Sequence, residues 1–176
     1  MTVLLLAVLV ITGVWLFLIA PGRCAHEQRA PFEQRAYAHR GLYEKDQSVP
    51  ENSLAAFAAA AQAGYGVELD VQLTRDKLLV VFHDDTLLRA CQLNARVDAY
   101  TYEELRGMSL FGTNHRIPLF ADVLAVIDGR IPMIVELKSG GDWVGNCEST
   151  LAHLQAYKGA YCVQTFDPHI ARWFSV

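Results

Sequence analysis

The sequence has no positive charge ahead of Arg23, no CxxC pair, no GxGxxG after any candidate strand and no His-x-His. Each absence closes a possibility. Without a basic residue before it, the N-terminal apolar stretch lacks the n-region of a signal peptide. Four scattered cysteines (Cys24, Cys91, Cys147 and Cys162) supply no disulfide framework and fit free thiols in a reducing compartment. The missing glycine fingerprint argues against a dinucleotide-binding fold. An amidohydrolase-like barrel would want His-x-His after its first strand to ligate zinc, and that is missing too. A net charge of −4 gives no reason to expect nucleic acid as a partner. Internal repeats and low-complexity segments are also absent.

What is present begins with a charge-free apolar run, Val3 to Ala20. At 1.5 Å per residue it is about 27 Å long, close to the hydrocarbon thickness of a bilayer. No polar stripe interrupts it, as one would in a helix lying on a core. The run predicts a single transmembrane helix over 3–20. Arg23, Arg29, Arg35 and Arg40 all follow the run, so the positive-inside rule places the rest of the chain in the cytoplasm. Residues 21–36 are polar, with Pro21, Gly22 and Pro31, and read as a linker.

From Tyr37 onward strands alternate with helices. Tyr37–Gly41 is a short strand. Asn52 or Ser53 can cap a helix over Leu54–Ala63, with Gly64 or Gly66 as its stop. Val67–Leu73 alternates strictly, and Leu78–His83 is apolar enough to be buried on both sides. Thr101 and Glu104 have capping-box spacing before a short helix, and Ala121–Ile127 is a further helical piece. Ile131–Lys138 reads as a strand, Glu148–Tyr157 as a helix and Tyr161–Phe166 as a strand. Helices between apolar strands predict an α/β domain with a parallel sheet, and charged residues collected at strand ends favour a (β/α)8 barrel.

Those strand ends carry His39 and Arg40, then Glu68 and Asp70, then His83 and Asp84, then Glu136 and Lys138. Period two puts Glu68 with Asp70 on one face, and Glu136 with Lys138 on one face. If both faces point inward, three carboxylates meet in one small volume, which a divalent cation would make tolerable. Oxygen-only ligands favour Mg²⁺ or Ca²⁺ over zinc. Arg40 and Lys138 could then hold a phosphate, with His39 and His83 as general acid and base. Singly, each residue has a plainer role: a hydrogen-bonded histidine, a solvated strand face, a surface ion pair. Asp84 and Asp85 suit a turn, with Arg89 pairing to them. Joint placement at four strand ends is what favours chemistry.

The motifs His39-Arg40-Gly41, Pro50-Glu51-Asn52-Ser53, Glu68-Leu69-Asp70, His83-Asp84-Asp85-Thr86-Leu87-Leu88-Arg89, Glu136-Leu137-Lys138 and Thr165-Phe166-Asp167-Pro168 resemble the glycerophosphodiester phosphodiesterase family. With the apolar run ahead of them, they suggest a membrane-anchored bacterial form. The resemblance implies a triosephosphate-isomerase-type barrel over 37–176 that hydrolyses glycerophosphodiesters to an alcohol and sn-glycerol 3-phosphate. It also implies Glu68, Asp70 and Glu136 as metal ligands, His39 and His83 as acid–base groups, and Arg40 with Lys138 on the phosphate. Glu51 and Asn52 are expected to shape a loop beside the site, Asn52 as a helix cap rather than a substrate contact. Ser53 and Thr165 stand where the family usually has Thr and Ser, and both keep a hydroxyl. A barrel of this type typically needs about 250 residues, whereas about 140 follow the linker. The barrel is therefore expected to be truncated after about its fifth strand, with the sequence a fragment of a longer protein. Competing readings are a lysophospholipase D using the same site, and a non-catalytic membrane-anchored binding module.

Overall fold

The computed structural model describes residues 2–19 and 25–175. Met1, Ala20, Pro21, Gly22, Arg23, Cys24 and Val176 lie outside the described residues, and with them part of the expected linker and its first basic residue. The chain divides into two units, Met1–Glu33 and Gln34–Val176.

The first unit holds α1 (Thr2–Ile19) and α2 (His26–Arg29), so a helical turn lies within the segment read as a linker. No described helix is long and apolar enough to cross a membrane. This overturns the expected transmembrane helix. The single-pass placement, the cytoplasmic side inferred from it and the membrane-anchored form go with it.

The second unit runs β1 (Tyr37–His39), α3 (Leu54–Ala63), β2 (Gly66–Leu73), β3 (Leu79–Val81), α4 (Leu88–Cys91), a 3₁₀ turn (Val97–Ala99), α5 (Tyr102–Leu105), α6 (Phe120–Ile127), β4 (Met133–Leu137), α7 (Trp143–Ala156), β5 (Tyr161–Gln164) and α8 (Pro168–Phe174). Local chemistry accounts for several of these bounds. In α3 the alanine-rich run favours helix. Ser53 Oγ caps it by accepting from the Ala56 N–H at 3.2 Å, and Gly64 ends it in the left-handed conformation. The Thr101–Glu104 capping box forms as expected. α7 begins earlier than expected, because the Asp142 carboxylate accepts from the Gly145 N–H at 3.0 Å and starts the helix there.

Strands β1, β2, β4 and β5 pair in that order and all in parallel. β3 departs from expectation: it is antiparallel to β2, pairing Val71–Leu73 beyond the stretch that β1 reaches. A parallel partner needs a crossover of a dozen or more residues. Only Thr74 to Leu78 intervene, and Lys77 turns them at φ 65°. Val67, Leu69 and Val71 are buried on one face of β2, with Phe57, Phe120, Val123 and Ile127 in the same core. Each fully buried side chain of this kind contributes roughly 1.5–3 kcal/mol. That anchorage lets the opposite face of β2 carry Glu68 and Asp70. A second core gathers Val80, Phe82, Leu87, Leu105, Leu110 and Ile117 beneath the irregular stretch after β3.

The turn after β1 is tight. Gly41 sits at φ 84°, and a Cβ there would lie 2.8 Å from Ala56 Cβ and 3.0 Å from the Ala56 carbonyl carbon. Gly41→Ala combines left-handed strain with overpacking against α3. We expect a loss of about 3 kcal/mol, read from urea denaturation midpoints.

Candidate active site

Register assembles the site. Pairing β1 with β2 sets His39 beside Glu68, and pairing β2 with β4 sets Asp70 beside Glu136. The antiparallel return of β3 brings the chain back to Asp70, whose carbonyl accepts from the Phe82 N–H at 2.9 Å, and His83 follows directly.

Glu68, Asp70 and Glu136 are all buried, and each offers an oxygen within 4.8 Å of the others. Burial raises the Glu68 pKa to about 7, helped by the Asp70 charge and only partly opposed by the backbone N–H of Arg40. Lys138 Nζ lies 2.5 Å from Glu136 Oε1 and 2.9 Å from Asp70 Oδ1. Burial works against the ammonium charge, yet these two carboxylates outweigh it and raise the Lys138 pKa. The contact with Asp70 Oδ1 is an ion pair outside hydrogen-bond geometry, so that fully buried oxygen has no hydrogen bond. An all-oxygen donor set of this spacing, with Asp70 Oδ1 free of hydrogen bonds and the Glu68 pKa raised to about 7, fits a hard divalent cation.

His39 Nε2 lies 3.6 Å from Glu68 Oε2, with the ring largely exposed. His83 Nδ1 lies 2.7 Å from Asp84 Oδ1. Arg40, at φ 61°, directs Nη1 to Glu51 Oε1 at 2.8 Å and sets Nε 3.9 Å from Asp70 Oδ2. Thus Glu68, Asp70, Glu136, Lys138, His39 and Arg40 come together directly, while His83 pairs with Asp84.

Asn52 is not the helix cap. At φ 54° it turns inward, and its Nδ2 donates to Asp70 Oδ2 at 2.9 Å. Glu51 is buried between Arg40 and Arg89. Arg89 pairs with Asp84 as expected, but its second partner is Glu51 rather than Asp85. Gln72, next on the face of β2 after Asp70, donates from Nε2 to the Phe82 and Asp84 carbonyls at 2.8 and 2.9 Å and pins the His83 loop. Its place in the period-two series was the signal that could have found it. Asn146 Nδ2, from α7, reaches the Val71 and Lys138 carbonyls at 3.3 Å, and nothing local in the sequence pointed there.

The model of the glycerophosphoryl diester phosphodiesterase family matches residues 39–158. A glycerophosphodiester phosphodiesterase of Caldanaerobacter subterraneus is 40% identical over 111 residues, covering 58% of this chain and 44% of that protein. A human lysophospholipase D is 34% identical over 140 residues, covering 70% of this chain and 42% of its own length. The chain therefore spans less than half the length of these relatives. Among solved structures, an Oleispira antarctica phosphodiesterase in complex with the product sn-glycerol-3-phosphate superposes with a TM-score of 0.71 at 25% identity, covering 80% of this chain and 61% of that one. The second unit accordingly has an α/β fold like that of a triosephosphate-isomerase-type barrel, of which the described residues hold four parallel strands and the antiparallel β3.

Proposed function

The chain belongs to the glycerophosphoryl diester phosphodiesterase family, and from that premise we propose that the protein hydrolyses glycerophosphodiesters to an alcohol and sn-glycerol 3-phosphate. The observation that carries this reading is the buried Glu68–Asp70–Glu136 cluster with His39 on one side and Lys138 on the other.

Glu68, Asp70 and Glu136 would hold Mg²⁺ or Ca²⁺, which when bound supplies charge neutralisation and polarisation at the phosphate. Lys138 and Arg40 bring cationic donors to the same cluster and orient the phosphate oxygens. Arg40, fixed by Glu51, offers the more rigid fork. His39 and His83 divide the proton work: one takes the proton of the attacking hydroxyl, and the other gives a proton to the alcohol oxygen as its bond to phosphorus breaks. Attack by water and attack by the substrate's own 2-hydroxyl require the same proton removal.

A second reading, lysophospholipase D action, is favoured by the human relative of that name. Glycerol 3-phosphate release from glycerophosphocholine, with Mg²⁺, Ca²⁺ or EDTA, tests the first reading. Lysophosphatidylcholine turnover tests the second. We expect metal-dependent release that falls by about 10²–10⁴ in His39→Ala. A folded protein that releases nothing from either substrate with metal supplied would sink both.

A further inference from the structure

Four charged side chains and the His83 ring join without a break from one wall of the site to the other. Arg40 Nη1 donates to Glu51 Oε1 at 2.8 Å, and Arg89 Nη2 donates to that same oxygen at 2.6 Å. Arg89 Nη1 reaches Glu51 Oε2 at 3.1 Å. From the same guanidinium, Nε and Nη2 reach Asp84 Oδ2 and Oδ1 at 2.7 and 3.0 Å. Asp84 Oδ1 then lies 2.7 Å from His83 Nδ1. Gln47 steadies Glu51, its Oε1 accepting from the Glu51 N–H at 3.0 Å. Arg89 is 46% exposed, too open to be a core residue, yet its guanidinium stands 5.3 Å from the Phe111 ring centre and serves two carboxylates.

We propose that Arg89 is a positioning residue, holding Asp84 against His83 Nδ1 and Glu51 against Arg40 so that both site groups keep one orientation. The proposal rests on the phosphodiesterase reading, in which His83 moves a proton and Arg40 holds the phosphate. An ionised carboxylate can only accept, so Asp84 requires the proton on Nδ1 and leaves Nε2 as the lone-pair nitrogen of the neutral ring. Burial works against the Asp84 charge, but hydrogen bonds from Arg89 and His83 outweigh it and hold the carboxyl below the usual range. Without Arg89, Asp84 turns to solvent and the ring loses its tautomer preference. Glu51 meanwhile keeps Arg40 and Gln47 but loses its second cationic partner. A guanidinium can fork between two carboxylates, whereas a lysine ammonium is a point charge. A simple staple between loops would affect stability and leave the ring alone.

Long-range ¹H–¹⁵N spectra of the histidine rings, with His83→Gln to assign the signal, separate these cases. They are recorded on the wild type, Arg89→Met, Arg89→Lys and Asp84→Asn, each with a thermal melt. With the ring in its neutral form, we expect the proton on His83 Nδ1 in the wild type and mixed tautomers in Arg89→Met. Turnover of glycerophosphocholine by Arg89→Met should fall about 100-fold in kcat, the scale of a displaced catalytic group, with little recovery in Arg89→Lys. An unchanged His83 tautomer with unchanged kcat in folded Arg89→Met, or full rescue by lysine, would overturn the proposal. If Arg89→Met does not fold, the tautomer in Asp84→Asn decides. A wild type that turns over no glycerophosphodiester defeats the phosphodiesterase reading, while the ring spectra still show whether Arg89 sets the tautomer.

Discussion

Asp70→Ala is expected to abolish divalent-metal binding, to reduce glycerophosphodiester turnover by about a thousandfold or more, and to destabilise the fold by about 3–5 kcal/mol. The stability loss follows from its neighbours. Asp70 is fully buried, with the Asn52 amide and the Lys138 ammonium each 2.9 Å from its oxygens. Removing the carboxylate leaves a buried amide unpaired and a half-buried ammonium with Glu136 alone, and breaking a buried pair from one side costs about 3–5 kcal/mol. One effect opposes this: Asp70 repels Glu68, and its removal relieves that repulsion. Two lost close contacts outweigh one relieved repulsion between groups that a proton already uncouples. The activity loss follows from the missing ligand, since a metal-bound phosphate draws several kcal/mol of transition-state stabilisation, roughly three powers of ten in rate. Urea denaturation, calorimetric titration with Mg²⁺ and Ca²⁺, and steady-state assay together check the three parts. Metal-dependent turnover retained by Asp70→Ala would remove Asp70 from the ligand set.

How far this site could be read in advance depended on whether each signal was local. Ser53, Gly64 and the Thr101–Glu104 box act within one helical turn, and each appears where the sequence put it. The Glu68–Asp70 and Glu136–Lys138 faces follow from strand period alone, so the acidic cluster was legible once parallel register was assumed. The direction of β3 was not legible in the same way. Leu78–His83 is an apolar run with no direction of its own, and the short Thr74–Lys77 turn, which excludes a crossover, was the decisive cue. The Glu51–Arg89 pair spans 38 residues, and nothing in either local pattern announces it. Asn52 illustrates a different failure. As a favoured capping type beside Ser53 it reads as a cap, but its left-handed backbone turns it onto Asp70 while Ser53 does the capping. The apolar N-terminal run suggested a span from composition alone, and no described helix is long and apolar enough to supply one.

Metal binding and pH are expected to be linked through Glu68, with divalent cations about thirtyfold weaker at pH 5.5 than at pH 8. Its folded pKa, raised from 4.5 to about 7, means that the folded metal-free protein binds more protons than the unfolded chain between those values. Stability from this group is therefore fully present below about 4.5, falls as pH rises, and levels off above about 7. A cation requires the carboxylate and so expels that proton below pH 7. Affinity then weakens about tenfold per unit below 7 and is flat above it, which gives the thirtyfold difference over one and a half units. The same cation offsets the repulsion that lowers stability at high pH, so its stabilising effect on the melting temperature grows as pH rises. Thermal melts with and without Mg²⁺ or Ca²⁺ at pH 5.5 and 8 measure this, and Glu68→Gln separates it from titration elsewhere. The wild type should show a markedly larger metal-induced shift at pH 8, and Glu68→Gln a small shift at both. Equal shifts in the wild type at the two pH values would mean that Glu68 does not exchange its proton for the metal, leaving Asp70 and Glu136 as the carboxylates of the site.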